Sequence, residues 1–320
     1  MRNRTSMRVD VGGIEMKNPV ITASGTFGYG LEFSRFIDLT KLGAFVTKGV
    51  SSRPWQGNRP ARIVETRAGM LNSIGLQNVG IDAFITDKLP EIRKINTAVI
   101  VNVVGREIDD YVAVAKKLNN QDGVAGIELN ISCPNIKQGG ISFGQNPNLS
   151  AEVTQAVKRA APRKPLIVKL TPNVTDIASI ALAVESGGAD AISLINTLTG
   201  LAIDIDTRKP VLANITGGLS GPAIKPVALR MVWEAARAVK IPIVGIGGIS
   251  CWQDAVEFLI AGATAVAVGT ANFINPKVTL EIIDGIERYL IKNKMRDVYQ
   301  LIGSLVTDEL GPQGKTDCCA

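Results

Sequence analysis

The sequence predicts a fold of the α/β class, a (β/α)₈ TIM barrel. Eight short runs rich in β-branched residues alternate with stretches whose apolar residues recur at helical spacing. The runs are apolar almost throughout, as parallel strands buried on both faces should be. Eight such units in 320 residues suit a barrel, which takes about 250 residues before insertions. The predicted strands are PVITA (19–23), AFVTK (44–48), AVIVNVV (98–104), GIELNI (126–131), PLIVKL (165–170), AISLIN (191–196), PIVGIG (242–247) and AVAVG (265–269).

The segments between and around these strands complete the predicted architecture. RVDVGGIEM (8–16) is typical of an N-terminal β-hairpin, which we expect at the end of the barrel opposite the site. Helical spacing predicts helices over 110–118, 175–188, 223–239, 251–262 and 277–294.

Three connections after predicted strands are longer than ordinary barrel loops. They follow strands 2, 4 and 6 and cover 49–95, 131–149 and 196–222. Long loops at this end of a barrel usually carry function, and 131–149, rich in Gly and Asn, suits a lid over a substrate. We expect one barrel domain over 1–320, with a flexible tail at about 309–320.

Composition and charge narrow the class of function. No apolar run approaches the roughly 20 residues of a membrane span, and the basic N-terminus leads into no apolar signal region. These features predict a cytoplasmic protein without a membrane anchor. The net charge of +6 comes from scattered Lys and Arg rather than blocks, so no nucleic-acid partner is predicted.

The chain contains no histidine, which limits its chemistry. The four cysteines, at 133, 251, 318 and 319, form no CxxC pair, and they predict neither a zinc nor an iron–sulfur site. Any general acid or base must therefore be Cys, Asp, Glu, Lys, Tyr or a bound cofactor.

Polar residues and glycines stand where the predicted strands end. Because the carboxyl ends of barrel strands meet at one mouth, we expect these residues to form a single site. Glycine turns in GIGGIS (245–250) and VGTAN (268–272) offer backbone N–H groups to a phosphate, as in FMN or a sugar phosphate. The strand-end residues are Ser24, Gly25, Lys48, Gly49, Asn102, Asn130, Lys169, Asn196, Thr197, Gly247, Gly248, Gly269 and Thr270.

The side chains at this mouth suggest what it binds. Lys169 could form a Schiff base or stay charged beside an electron-rich cofactor, and Lys48 could hold a substrate carboxylate or part of a cofactor. Amide side chains both donate and accept hydrogen bonds, which suits a flat heterocycle with alternating C=O and N–H groups, such as a pyrimidine dione. The asparagines in question are Asn72, Asn102, Asn130, Asn135 and Asn196.

Seven motifs follow one another along the chain: NSIGLQN (72–78), ELNISCPN (128–135), IVKLTPN (167–173), NTLTGLAID (196–204), GLSGPAIKP (218–226), IGGI (246–249) and VGTANF (268–273). In this order they resemble one family, the class 1 dihydroorotate dehydrogenases. The resemblance runs from about residue 8 to about 305, and GLQN, NTLTGLAID and GGLSGPAIKP are most similar to the NAD-linked type B branch.

The resemblance implies a flavoprotein that oxidises (S)-dihydroorotate to orotate in pyrimidine biosynthesis. It assigns Cys133 as the base that removes the C5 proton while hydride leaves C6 for flavin N5. A thiol, with a reference pKa near 8.5, can serve as a base near neutrality, although a lone cysteine can also be a small buried hydrophobe. The implied FMN residues are Ser24, Lys48, Gly49, Asn102, Asn130, Lys169, Ile195, Gly221, Gly247, Gly248, Gly269 and Thr270. The implied substrate residues are Lys48, Asn72, Ser73, Ile74, Gly75, Leu76, Asn130, Asn135, Asn196 and Thr197.

The type B resemblance also implies a partner. The sequence shows no second glycine-rich dinucleotide fingerprint and no cysteine cluster for iron–sulfur ligation. As the resemblance implies, electrons would leave FMN through a separate subunit with FAD and a [2Fe–2S] cluster and pass to NAD⁺. The implied assembly is a heterotetramer with a homodimer of this chain at its core.

Three alternatives remain open from the sequence. A type A enzyme would perform the same oxidation as a homodimer that uses fumarate. A phosphate-binding lyase would use Lys169 for a Schiff base. A flavin barrel that reduces tRNA uridines is the third, but the chain has no basic appended domain.

Overall fold

In the computed structural model, which describes residues 5–132 and 143–307, parallel strands close into a barrel. Each strand pairs with the next in chain order, and strand 8 pairs with strand 1. The predicted (β/α)₈ barrel is confirmed, and each predicted strand contains one observed strand. Barrel strands 1 to 8 are Val20–Thr22, Ala44–Val46, Ala98–Val103, Gly126–Asn130, Leu166–Lys169, Ala191–Leu194, Ile243–Ile246 and Ala265–Val268.

Helices surround the barrel and bury its outer face. All five helices expected from the sequence form, with ends within two residues of the expected ones. The apolar residues of these helices pack on the Val- and Ile-rich strands in one continuous core. The longer helices are Ile108–Leu118, Pro147–Ala160, Ile177–Ser186, Lys225–Ala238, Trp252–Ile260 and Val278–Lys292. Between strands 2 and 3 the chain forms Gly80–Ala83, a π-helical turn Phe84–Lys88 and Leu89–Ile92. Short helical turns are Leu31–Phe33, Leu39–Lys41, Phe143–Gln145, Pro222–Ile224, Ala271–Ile274 and Val298–Gln300.

The N-terminal hairpin lies at the amino ends of the barrel strands, as predicted. Its strands, Val9–Asp10 and Glu15–Met16, pair antiparallel. Gly12 adopts φ +62°, and a Cβ there would overlap Asp190, just before strand 6. The buried Ile14 side chain lies against Gly126, the first residue of strand 4. The hairpin therefore leaves the opposite end of the barrel open for a site.

The two long loops after strands 2 and 6 combine into one antiparallel sheet. Strand order in this sheet is Leu198–Leu201, Thr216–Ser220, Gly69–Asn72 and Ile63–Thr66. Leu71 pairs with Leu219, which joins segments about 150 positions apart in the chain. A two-stranded extension, Ile203–Asp204 with Lys209–Pro210, continues the strand 6 loop. Residues of this sheet line the cavity at the barrel mouth.

Several predictions lie partly outside the described residues. Most of the predicted lid, including Cys133 and Asn135, belongs to the segment 133–142, and the whole predicted tail belongs to the segment 308–320. That 1–320 is a single domain stays a prediction. Within 5–132 and 143–307, none of the helices has the length and hydropathy of a membrane-spanning segment.

Candidate active site

A cavity of about 950 Å³ opens at the carboxyl ends of the barrel strands. Every sequence-predicted site residue that the structure describes lines it, so the structure brings the predicted set together. Cys133 and Asn135 are the two that lie outside the described residues. The predicted residues that line the cavity are Ser24, Lys48, Gly49, Asn72, Ser73, Ile74, Gly75, Leu76, Asn102, Asn130, Lys169, Ile195, Asn196, Thr197, Gly221, Gly247, Gly248, Gly269 and Thr270.

A buried ionic network lies beneath the cavity. Glu128, on strand 4, is 2% exposed, and Lys169, on strand 5, is 4% exposed. Lys169 Nζ lies 3.8 Å from Glu128 Oε2 and donates a hydrogen bond to Ser24 Oγ at 3.1 Å. Ser193 Oγ donates to Glu128 Oε1 at 2.8 Å. The cation of strand 5 is thus held at the cavity wall by Glu128 on strand 4 and by Ser24 after strand 1.

The carboxylate of Glu128 also determines how Asn102 faces the cavity. Asn102 Nδ2 donates to Glu128 Oε2 at 2.6 Å. Because a carboxylate only accepts hydrogen bonds, the amide nitrogen must face Glu128 and the amide oxygen must face away from it. Asn102 Oδ1 is buried and has no hydrogen-bond partner within the described chain. The cavity floor therefore offers an acceptor to an N–H or O–H donor of a ligand.

The end of strand 4 is fixed up to the residue that precedes Cys133. Tyr111 Oη donates to the backbone oxygen of Asn130 at 3.0 Å, and Asn130 Oδ1 accepts from the Ser132 amide at 3.2 Å. Ser132 Oγ donates to the backbone oxygen of Lys169 at 2.7 Å. Strands 4 and 5 are thereby joined at the point where the chain leaves the barrel towards Cys133.

Lys48 supplies a second cation, with a different environment. Its Nζ makes no hydrogen bond or ion pair within residues 5–132 and 143–307. Burial, assisted by the positive charge of Arg62 and opposed by Glu32, holds the pKa of Lys48 below the usual lysine value. A partly buried ammonium without a partner suits a ligand anion such as a carboxylate.

The glycine turns after strands 7 and 8 form a cradle for an anion. Gly248 adopts φ +74°, and a Cβ there would lie 2.8 Å from the Lys225 backbone nitrogen, so only glycine fits. The backbone N–H groups of Gly248, Gly269 and Thr270 have no acceptor in the described chain. Thr270 Oγ1 donates to Ser220 Oγ at 2.7 Å, which connects this end of the cavity to the sheet. Free amides beside glycines are the usual means of holding a phosphate.

Residues missed by the sequence analysis complete the walls. Asn173 Nδ2 donates to the Thr197 backbone oxygen at 3.1 Å, and its Oδ1 accepts from the Thr199 amide at 3.0 Å. It thereby holds the start of the strand 6 loop. The sequence signal for Glu128 is a charged residue inside an apolar strand. Asn173 belongs to the motif IVKLTPN, but the sequence analysis assigned it no role. Besides Asn173, the lining residues that the sequence analysis missed include Thr26, Asn58, Arg67, Ser132, Thr199, Ser220 and Ser250.

These donors and acceptors fit FMN. The cavity offers free amides for a phosphate at strands 7 and 8, an unpaired acceptor at Asn102, and a buried cation at Lys169. Its volume of about 950 Å³ suits a cofactor together with a small substrate. Among the described residues, no cluster of Cys, Asp and Glu is arranged to hold a metal ion.

Comparison with known proteins agrees with this geometry. A family model described as dihydroorotate dehydrogenase matches residues 6–290. The chain belongs to the dihydroorotate dehydrogenase family. The family predicted from the motifs is therefore confirmed.

Relatives within the dihydroorotate dehydrogenase family match this chain over nearly their whole length. A protein of Alkaliphilus oremlandii is 59% identical over 302 residues, which cover 94% of this chain and 99% of the relative. One of Geotalea uraniireducens is 60% identical over 304 residues, 95% of this chain and 99% of the relative. One of Thermoanaerobacter sp. (strain X514) is 57% identical over 303 residues, 95% of this chain and 100% of the relative. All three are named dihydroorotate dehydrogenase B (NAD(+)), catalytic subunit.

Proposed function

We propose that this chain catalyses the flavin-dependent oxidation of (S)-dihydroorotate to orotate in pyrimidine biosynthesis. The observation that carries the proposal is one cavity that combines a phosphate cradle, a buried cation and amide groups, in a member of the dihydroorotate dehydrogenase family. The names of the relatives favour this function over the fumarate-linked and Schiff-base alternatives.

Residues at the barrel floor and at strands 7 and 8 would hold FMN. The free amides of Gly248, Gly269 and Thr270 would bind its phosphate, with Gly221 and Gly247 allowing close approach. Bound FMN supplies the hydride acceptor for the oxidation. Lys169, held by Ser24 and Glu128, would place a positive charge beside the flavin ring, where it favours the reduced anion. Asn102 would accept a hydrogen bond from the ligand through Oδ1. The other proposed FMN residues are Lys48, Gly49, Asn130 and Ile195.

Residues of the mouth would orient the substrate. Lys48 would bind the carboxylate of dihydroorotate, because it is a partly buried cation without an ionic partner in the described chain. The amide groups would match the ring C=O and N–H groups of the substrate. The proposed substrate residues are Lys48, Asn72, Ser73, Ile74, Gly75, Leu76, Asn130, Asn135, Asn196 and Thr197.

Cys133 would remove the proton from C5. The chain has no histidine, and Cys133 follows Ser132, whose hydroxyl is bonded to strand 5 at the cavity wall. A base on the loop directly after this fixed residue can approach a substrate in the mouth. The loop 131–149 would act as the lid that excludes water during the reaction.

A partner subunit would reoxidise the flavin. The relatives are named catalytic subunits of NAD⁺-linked enzymes, which supports an assembly with a second kind of subunit. We propose that this subunit carries FAD and a [2Fe–2S] cluster and passes electrons to NAD⁺. A heterotetramer around a homodimer of this chain is the proposed assembly, and a cytoplasmic location stays a prediction.

The decisive experiment is the visible spectrum of the purified chain. We expect a bound flavin that bleaches when (S)-dihydroorotate is added without oxygen. Flavin that stays oxidised would refute the substrate assignment, and a colourless protein unable to bind FMN would refute the cofactor. Rapid turnover with fumarate and no partner would instead favour the type A alternative.

A further inference from the structure

The turn after barrel strand 7 is fixed from behind by one buried carboxylate. Asp254, 8% exposed, lies in the first turn of the helix Trp252–Ile260. Its Oδ2 accepts hydrogen bonds from the Ser250 amide and the Ser250 hydroxyl, both at 2.8 Å, and from the Cys251 amide at 3.2 Å. These bonds hold the turn against the start of the helix.

Asp254 also joins this turn to the preceding helix. Its Oδ1 accepts from Lys225 Nζ at 2.7 Å, and Lys225 is the first residue of the helix Lys225–Ala238. The backbone of Lys225 in turn packs directly against Gly248. The turn 247–250 is therefore held between two helices, and Asp254 bonds both to the turn and to the first residue of the preceding helix.

The bonds of Asp254 exceed what a helix cap requires. A capping residue at this position needs to accept only from the Cys251 amide, as in an ordinary capping box. Asp254 accepts from Ser250 and Lys225 as well, so donors surround both of its oxygens. Burial raises its pKa, but the hydrogen bonds from Lys225, Ser250 and Cys251 outweigh burial and hold the pKa of the carboxyl below its usual value.

We propose that Asp254 is a positioning residue for the phosphate of FMN. Ser250 and Gly248 line the cavity, whereas Asp254 does not belong to its described lining, so it acts through the turn and not by contact. By fixing this turn, Asp254 keeps the free amide of Gly248 in place for a dianion. The inference rests on the proposed FMN function and extends it to a selectivity for the phosphorylated flavin over riboflavin.

Loss of the negative charge of Asp254 and loss of its hydrogen bonds to the turn should change the affinity for FMN in opposite directions. A carboxylate near a phosphate dianion repels it, so removal of the charge alone would tighten FMN binding. Asp254→Asn also disrupts the bonds, because its amide NH₂ must face either Lys225 Nζ or the donors of Ser250 and Cys251. Donor meets donor in both orientations, and the turn loses part of its support. Weaker FMN binding would therefore identify the positioning effect.

The test compares FMN with riboflavin, which lacks the phosphate, on the full chain freed of flavin. Dissociation constants follow from the quenching of flavin fluorescence on titration. We expect the wild-type chain to prefer FMN, and Asp254→Asn to raise the FMN dissociation constant about tenfold, which corresponds to loss of one good charged hydrogen bond. The riboflavin constant should change less than about twofold, since riboflavin does not use the turn.

Glu257→Gln is the matched control. Glu257 Oε2 lies 2.9 Å from the same Lys225 Nζ, but its side chain is 44% exposed and it bonds to no residue of the turn. Its substitution should leave the ratio of the two constants unchanged. Asp254→Glu keeps the charge but moves the carboxylate oxygens, so it should lower the preference for FMN over riboflavin. It is the variant to test if Asp254→Asn does not fold.

Each outcome decides a specific question. An unchanged FMN preference in the folded Asp254 variants, with only a lower melting temperature, would make Asp254 a helix cap and overturn the proposal. Tighter FMN binding by Asp254→Asn would overturn it as well. Equal affinity of the wild-type chain for FMN and riboflavin would instead refute the phosphate site of the proposed function.

Discussion

Glu128 Oε2 accepts a hydrogen bond of 2.6 Å from Asn102 Nδ2, and this bond determines which end of the Asn102 amide faces the cavity. The acceptor at the cavity floor is therefore set by a residue outside the cavity lining. The same carboxylate receives Ser193 Oγ and lies 3.8 Å from the ammonium of Lys169. The buried Glu128 side chain thus orients Asn102 and lies beside the charge of Lys169, and both of these residues are proposed to hold FMN.

Replacement of Glu128 by leucine should strongly destabilise the fold. The substitution leaves Asn102 Nδ2 and Ser193 Oγ without their acceptor and Lys169 without its ionic partner in a buried environment. We expect a cost of about 3–5 kcal/mol of unfolding free energy. Urea denaturation measures this loss. Glu281→Leu is the control, because Glu281 is exposed and, among the residues that the structure describes, its carboxylate accepts only from Asn275. Its effect should stay within about 0.5 kcal/mol. Similar losses for both variants would contradict the importance of the buried network.

Gly248→Ala should impair both stability and FMN binding. Alanine at φ +74° is strained, and its Cβ would also overlap the Lys225 backbone. We expect the free energy of unfolding to fall by about 1–3 kcal/mol, with strain and overlap together giving a loss near the upper end of this range. FMN should also bind more weakly. Gly303→Ala separates the two causes, because Gly303 has a similar φ of +69° but nothing within 4 Å of a Cβ. Its cost should be smaller, and FMN affinity should not change.

The pH dependence of substrate capture should report the charge of Lys48. Its folded pKa lies below the usual 10.5, so Lys48 loses its proton at a lower pH than an ordinary lysine. The value of kcat/KM for the anionic dihydroorotate should therefore fall as the pH rises through that pKa, because kcat/KM follows the free enzyme. In Lys48→Arg the fall should vanish or move to higher pH, since a guanidinium stays protonated. A profile unchanged by the substitution would remove Lys48 as the carboxylate-binding group.

Substitution of Cys133 tests the proposed base. Cys133→Ala should nearly abolish reduction of the flavin by dihydroorotate while FMN stays bound, as monitored by anaerobic stopped-flow absorbance. Cys133→Ser should be slow at neutral pH and recover partly at higher pH, because a hydroxyl is much harder to deprotonate than a thiol. Cys251→Ala is the control: Cys251 has no role in the proposed chemistry and should be dispensable for the rate of flavin reduction. Full activity of Cys133→Ala would exclude Cys133 as the base.

The barrel and most of the site could be predicted from local sequence pattern and motifs. Apolar runs such as AISLIN are buried on both faces, so local pattern alone identified the strands. Their carboxyl ends must meet at one mouth, which is why Ser24, Asn102 and Lys169 were expected together and are found together. Motif resemblance then added residues of the loops, such as Ser73, Leu76 and Gly221, that no periodicity could assign.

The contacts by which these residues support one another depend on the closed barrel and could not be predicted from the sequence. Glu128 and Asn102 are 26 positions apart, and the bond between them exists only because strands 3 and 4 pair in one register. The sheet that joins Leu71 to Leu219, and the link from Asp254 to Lys225, likewise connect segments distant in the chain. Such contacts depend on how the barrel closes and how its loops fold over the mouth. Local sequence pattern carries the identity of the groups, whereas closure of the barrel determines their partners and the direction in which their donors and acceptors face.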